Sequence, residues 1–439
     1  MDRIDCAQWM LMAGLALSAS ACGAEAEPGE AEESLESTQE ALFSLPNDVV
    51  LEWNAHTIDA LTEHDGYADP LVATRVLTMV HLAMHDAVNA TAYRFYRPYT
   101  FKKRDLTANP VAAAASAAHE VLIRLFPAQR AALSGKLEAS LGGVPNGYSE
   151  WRGVALGRRV GQQLVTLRSD DGSDASTPYT PGSEPGDYQF TMPGVIARPG
   201  WQNVTPFGLK SSNQFRPGPP PALASAEYAA AYDEVKSRGD VNSVTRSAEE
   251  SAYARFWYEF SDIGWNRVTR VVAEQEQPGL ASTARLFALV NVAMADSYIA
   301  GWDAKFHYDF WRPITAIQQG DRDGNPKTVA DPSFTPLLVT PPVQDYPSTH
   351  STLGAAAAEV LTRHFGRHGD EIGFSMTSST ASEPEVELRS FDSFRQASEE
   401  NADSRVVAGI HFPFACAAGL SLGEKIGKHV FENHLQSYR

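Results

Sequence analysis

Three short stretches hold the side chains most capable of chemistry. Lys305-Phe-His-Tyr-Asp-Phe-Trp-Arg312-Pro313 supplies two cations. Pro347-Ser348-Thr349-His350-Ser351 supplies a hydroxyl and an imidazole, and Ser404-Arg405-Val-Val-Ala-Gly-Ile-His411 a third cation and a second imidazole. Cations that converge on one point need an anion to offset their repulsion. A tetrahedral oxyanion such as phosphate or vanadate suits them, because arginine makes bidentate contacts to such oxygens. The histidines then offer a ligand or nucleophile and a proton carrier.

The elements that carry these residues are legible in outline. Lys305 and Arg312 are seven apart, which predicts one helix face. Pro313 disfavours helical geometry at Arg312 and predicts the helix end there. Phe306, Phe310 and Trp311 favour burial of the pair, and a buried cation needs a partner. Ser348 or Ser351 suits a helix N-cap before the small-residue run Gly354–Ala358, and free amides at a helix start attract anions. Arg405 and His411 lie about 120° apart on a straight helix, so Gly409 and Pro413 must bend the chain to bring them together. Taken singly, each stretch has a plainer reading: a solvated pair of cations, an ordinary capped helix, a structural histidine.

Taken jointly, Lys-x6-Arg-Pro, then Pro-Ser-x-His, then Ser-Arg-x5-His resembles the three-part pattern of the vanadium-dependent haloperoxidase and type 2 phosphatidic acid phosphatase superfamily, in its bacterial haloperoxidase-like branch. The resemblance covers about Ala284 to Lys428. It implies an all-α fold of two packed helical bundles, vanadate as cofactor, and hydrogen peroxide, halide and a small organic substrate as partners. It further implies that Lys305, Arg312 and Arg405 bind vanadate oxygens, with Ser348 and the Thr349 amide hydrogen-bonding to them. His411 would coordinate the metal, His350 would be the acid–base residue, and Lys305 would polarise peroxide. Hypohalous acid would be the product. Two departures stand out. Thr349 replaces the usual glycine, so a Cβ narrows the site and disfavours conformations open to glycine. Ala415 stands where the phosphatase branch commonly has an aspartate four residues after the last histidine. This argues against a phosphatase with His411 as nucleophile, unless another carboxylate takes that place. A noncatalytic oxyanion-binding lipoprotein is the third reading.

The rest of the chain fits a large exported helical protein. Its 439 residues are 43% hydrophobic and 21% charged, and the net charge of -18 argues against nucleic acid as a partner. Residues 1–22 read as a signal segment, with Ala19-Ser20-Ala21-Cys22 resembling a lipobox and Cys22 a candidate lipid anchor. Residues 23–48 read as an acidic tether, 49–224 as a first helical bundle, and 225–439 as a second bundle with the site. Helical periodicity covers Leu71–Ala92, Pro110–Phe126, Ala128–Leu141 and Trp151–Arg168. An irregular crossing from Asp170 to Pro221 follows. Helices resume at Ser225–Lys236, Ser247–Tyr258, Gly264–Glu274, Ser282–His307, Thr352–Phe365, Phe391–Arg405 and Ala415–His434.

Residues 75–90 also echo 285–300 without gaps, sharing Arg75/Arg285, Asp86/Asp296 and a later Arg-Pro pair (Arg97-Pro98, Arg312-Pro313). Asp86 and Asp296 are expected in structural ion pairs. His81 and His85 have metal-ligand spacing but read as core, since Leu82 stands where a zinc-protease helix needs Glu. Asp321–Asn325 reads as a surface turn, because its glycine comes too early for an EF-hand. Trp302 and Trp311 read as core or as walls of a substrate pocket.

Overall fold

The computed structural model describes residues 45–93, 95–381 and 388–438. The expected signal segment, Cys22 and most of the tether lie outside the described residues.

The first half holds α1 (Asp48–Asp65), α2 (Pro70–Ala90), α3 (Pro110–Leu125), α4 (Arg130–Gly142) and α5 (Tyr148–Leu167). The second holds α6 (Ala226–Gly239), α7 (Ala248–Phe256), α8 (Ser261–Glu276), α9 (Leu280–Tyr308), the short α10 (Pro313–Gln318), α11 (Thr349–Phe365), α12 (Phe394–Val407) and α13 (Pro413–Asn433). The fold is all-α, and the segment between α5 and α6 is irregular apart from one turn at Trp201–Asn203. One small hairpin was not expected. β1 (Phe374–Thr377) pairs antiparallel with β2 (Leu388–Phe391). Phe391 therefore ends a strand, and the helix predicted to start there begins at Phe394.

Helix starts follow local chemistry. Asp69 caps α2 by accepting the Leu71 and Val72 amides, with Pro70 at the first position, where a missing N–H costs nothing. Asn109 caps α3 through the Ala112 amide, again ahead of a proline. α9 runs 29 residues, and its stretch from Leu280 to Trp302 is nearly all buried. It is apolar all round because neighbours cover every face.

Close packing depends on two glycine stripes. A Cβ on Gly153, Gly157 or Gly161 of α5 would come within 2.8 Å of the α3 backbone, at the oxygens of Asn109, Ala113 and Ala117. On α13, Gly419, Gly423 and Gly427 stand in the same relation to α11, with the oxygens of Ser348, Thr352 and Ala356 within 2.6 Å. The Ala-rich helices α3 and α11 thus each sit against a helix with glycine every fourth residue. The repeat extends to the hydrogen bonds at the helix starts. The Asn109 amide donates to Ser149 O at 2.9 Å, and the Ser348 amide to Ala415 O at 2.9 Å. Both carbonyls lie four residues before the first glycine of the stripe.

The echoed aspartates sit at corresponding places on α2 and α9 and do not form ion pairs. Asp86 accepts the amides of Tyr99, Thr100 and Phe101 at 2.7–2.8 Å. Asp296 accepts those of Phe207, Gly208 and Leu209 at 2.7–2.8 Å. Each carboxylate organises a chain crossing by satisfying three backbone donors. Burial drives both carboxyls up to about 6, against the pull of these amides.

Candidate active site

α9 ends at Tyr308, four residues before Arg312. Asp309 takes the left-handed conformation, φ 48°, and its amide closes on Lys305 O. Arg312 follows in extended geometry, φ -82° and ψ 155°, as the residue before α10. The two cations therefore do not share a helix face, contrary to their spacing. The chain turns between them, and both are drawn to the loop 343–345. The Lys305 ammonium donates to Gln344 O at 2.5 Å and Asp345 O at 3.0 Å. The Arg312 guanidinium donates to Val343 O at 2.6 Å and Ile410 O at 2.7 Å.

Arg405 arrives from the last turn of α12. Gly409, φ 76°, reverses the chain after α12, and the amides of Ile410 and His411 both return to Arg405 O. This is a glycine-dependent helix ending. It achieves the bend that the Arg405–His411 spacing requires. The Arg405 guanidinium donates to Trp257 O at 2.8 Å and Ser404 Oγ at 3.0 Å. Ser348 caps α11, and Ser351 returns both its amide and its hydroxyl to Ser348 Oγ. His350 follows on the first turn, where Nε2 lies 2.9 Å from Glu259 O. Only a protonated Nε2 can bond to a carbonyl, so the neutral ring keeps its lone pair on Nδ1.

The sequence gives no sign of Asp345 as a site residue. Its side chain is fully buried, and Oδ1 stands 2.8 Å from His411 Nδ1 and 3.9 Å from Arg312 Nη1. His411 Nε2 lies 3.0 Å from Arg312 Nη1, which can only donate. Nε2 is therefore the lone-pair nitrogen, and Nδ1 carries the hydrogen. The carboxylate missing at Ala415 is thus replaced by Asp345. Its carboxylate stands beside the His411 ring without a hydrogen bond to it, and the tautomer a ligand or nucleophile needs is set by Arg312 Nη1.

Thr349 does not strain its backbone, because it lies outside the positive-φ residues of the described chain. Its methyl has room because Gly301 of α9 faces it; a Cβ there would stand 2.4 Å from Thr349 Cγ2. The family glycine is absent at 349, and a glycine on the facing helix supplies the space.

The electrostatics are lopsided. Lys305, Arg312 and Arg405 are each no more than 2% exposed. Burial, then the like charge of Arg312, pushes the Lys305 ammonium well below its usual range. Burial lowers Arg312 and brings Arg405 down to about 10. Burial also holds His411 well below the usual histidine range and His350 at about 3, with the neighbouring guanidinium charges adding to it. Both imidazoles are neutral. Asp345 is pushed up to about 7 by burial, against the pull of Arg312 and Lys305. It is the one carboxylate that opposes the three cations, and Arg405 makes no ion pair among the described residues. Carbonyl oxygens solvate these cations without neutralising them. A cavity of about 520 Å³ opens on Arg312, Thr349, His350, Arg405 and His411, while Lys305 and Ser348 are buried, each 0% exposed. An oxyanion fits this donor set on charge and on hydrogen-bond type, since every group but Asp345 is a donor or a neutral nitrogen.

The other candidates are structural. His81 Nε2 accepts from Asn54 Nδ2 at 2.8 Å, inside a buried amide network with Asn266 and Asn291. His85 Nε2 lies 3.5 Å from Arg97 O. No cluster of His, Cys, Asp and Glu suited to a metal occurs among the described residues. Asp323 bonds the Asn325 amide and the Thr328 hydroxyl, closing a turn. Trp311 is core, and Trp302 lines the cavity.

The chain is similar to known proteins in sequence and fold. The family described as the VCPO second helical-bundle domain matches residues 285–439. Vanadium chloroperoxidase from Curvularia inaequalis is 27% identical over 459 residues, covering 80% of this chain and 75% of that protein. A bacterial vanadium-dependent iodoperoxidase structure superposes with TM-score 0.74 at 28% identity, covering 89% of this chain and 98% of that one. A bacterial vanadium-dependent chloroperoxidase, at 20% identity and TM-score 0.69, shares the fold over 83% of this chain and 94% of its own. Over its second half the chain matches the VCPO second helical-bundle domain, and over most of its length it is similar to vanadium-dependent haloperoxidases.

Proposed function

We propose that this protein is a vanadate-dependent haloperoxidase that oxidises halide with hydrogen peroxide to hypohalous acid. The carrying observation is the cage itself: three buried cations face one carboxylate and two neutral imidazoles. Vanadate, when bound, supplies the Lewis-acid centre at which peroxide is activated toward halide.

The residues have separable roles in this reading. Lys305, Arg312 and Arg405 neutralise the oxyanion and stabilise charge that develops on its oxygens. The Ser348 hydroxyl and the Thr349 amide hold it at the start of α11. His411 Nε2, kept as the lone-pair nitrogen by Arg312 Nη1 at 3.0 Å, would be the metal ligand. With vanadate bound, the His411 Nε2 lone pair would face the metal and Arg312 Nη1 would turn to an oxyanion oxygen. His350 arrives unprotonated and takes a proton from peroxide as it binds. A phosphatase would instead need His350 protonated, to hand a proton to the leaving alcohol. The presence of Asp345 removes the argument from Ala415. The relatives are what favour the peroxidase.

The test is an assay of orthovanadate-loaded protein for peroxide-dependent oxidation of bromide and iodide. Turnover that requires both vanadate and peroxide is expected. Hydrolysis of a phosphomonoester by vanadate-free protein, with no halide oxidation, would overturn the assignment.

A further inference from the structure

A second set of cations gathers in the first half, away from the cage. Arg97, Lys102, Lys103 and Arg104 are exposed and line one cavity of about 330 Å³ at the end of α2, together with Asn89 and Tyr438. No aspartate or glutamate lines it, although the chain has 54 acidic residues against 36 basic ones. Other arginines near the surface find carboxylates: Arg152 on Asp105, Arg216 on Asp303 and Arg363 on Glu359. None of these four cations makes an ion pair among the described residues. The carboxylates behind them are already committed. Asp86 is taken up by the amides of Tyr99, Thr100 and Phe101, and Asp105 accepts from Arg152 Nε at 2.7 Å.

The walls of this cavity are fixed through the backbone. Asn89 accepts the Tyr96 amide at 2.9 Å and donates to Tyr96 O at 2.7 Å. The Arg97 amide donates to Gln436 O at 2.7 Å, and the Tyr438 amide to Phe95 O at 3.1 Å. The chain that follows α13 thus closes one side. The Arg97 guanidinium lies 5.9 Å from the Tyr438 ring centre, and that of Arg104 lies 4.9 Å from the Tyr93 ring centre. Ring faces of this kind steady a guanidinium without neutralising it.

Exposed cations differ from buried ones in what they can bind. Each keeps its water, so a single oxyanion gains little from any one of them, and salt screens that gain. Affinity must come from several charges on one ligand meeting several cations at once. The rest of the surface limits the size of that ligand. A net charge of -18 repels extended polyanions and anionic membranes. A compact anion inside the cavity sits beside the four cations, and acidic groups farther off than a Debye length of about 8 Å are screened from it.

We propose that this cavity is a second anion site, for a compact ligand carrying three or more negative charges, as an oligophosphate or a polycarboxylate does. It contains Arg97-Pro98, the first-half counterpart of Arg312-Pro313. The two Arg-Pro pairs then both serve anions, by different physics. The buried one holds a single dehydrated oxyanion, and the exposed one shares a hydrated, multiply charged ligand with three further cations. The site uses neither vanadate nor peroxide, so it stands apart from the haloperoxidase reading.

Tripolyphosphate and citrate are the probes. Each is titrated by calorimetry at low salt into the full-length, vanadate-free protein, in wild type, in the double variant Lys102→Ala with Lys103→Ala, and in Lys305→Met of the cage. A saturable site for at least one probe is expected, and the tighter probe names the ligand class. The site should weaken at least tenfold in the double variant, stay within twofold in Lys305→Met, and weaken at least fivefold when salt is raised to the physiological range. Orthophosphate should compete for it at least tenfold more weakly. Without ligand, the double variant should melt with wild type, since both lysines are exposed. No saturable binding, or equal affinity in wild type and the double variant, overturns the proposal. Loss of the site in Lys305→Met with retention in the double variant also overturns it, by placing the ligand in the cage. Orthophosphate binding as tightly as the better probe refutes the need for several charges. Lysine-dependent capture by phosphatidylglycerol vesicles, with no competition from either probe, makes the surface a membrane contact instead.

Discussion

The two halves of the molecule share one plan and differ in what is mounted on it. α2 and α9 each present an aspartate that gathers three amides of a chain crossing. α3 and α11 are each small-residue helices packed on a glycine stripe, with the N-cap amide bonded to the neighbouring helix at 2.9 Å. The differences lie at the ends. α2 stops four residues past Asp86, whereas α9 continues for three turns past Asp296 to carry Lys305. Arg97 of the first Arg-Pro pair is exposed, whereas Arg312 of the second is 1% exposed. The first position after the cap is Pro110 in α3 and Thr349 in α11, each followed by Val111 or His350. The comparison separates scaffold from chemistry. Close backbone packing is needed in both halves, and a buried, undercompensated set of cations exists in one.

This division can be broken most forcefully at the aspartates. Asp86→Ala and Asp296→Ala each leave three backbone amides without an acceptor, all buried at Asp296 and partly buried at Asp86. At roughly 1–3 kcal/mol for each unmade bond, both variants should lose about 3 kcal/mol or more in thermal or urea unfolding. If one is nearly neutral, the two crossings are not equivalent. The arginine and lysine contrast comes next. Lys305→Met removes a buried cation whose partners are carbonyls alone. It should weaken vanadate binding at least tenfold while leaving the melting temperature unchanged or higher. Arg97→Met should change neither. Loss of vanadate affinity in the Arg97 variant would mean that the first half shares the chemistry. The smallest effect concerns packing behind Thr349. Gly301→Ala forces a Cβ against Thr349 Cγ2 and should cost about 1–3 kcal/mol. Adding Thr349→Gly should restore most of that stability. No recovery in the double variant would show that the contact is not what constrains position 301.

Much of this was readable from residue types and spacing, and the remainder has identifiable causes. The three stretches converge because Gly409, Asp309 and the Ser348 cap turn the chain where their types allow. Gly409 announces such a turn. Asp309 does not, since a non-glycine residue enters the left-handed region only occasionally, so α9 was expected to reach Arg312. Asp345 was invisible because its partner is 66 positions away in sequence and no spacing rule links them. The roles of Asp86 and Asp296 were misjudged for a related reason. Their partners are backbone amides, which every sequence has and none advertises. The hairpin of β1 and β2 is only four residues a strand, too short for alternation to stand out against a helical background.

The central claim is that His411 and the three cations hold one vanadate. Titration of vanadate-free protein with orthovanadate by calorimetry tests it directly, in wild type and His411→Ala. One vanadate per chain in wild type, and at least a tenfold weaker dissociation constant in the variant, is the predicted result. Equal affinity in the two proteins, or no binding in wild type, would contradict the account.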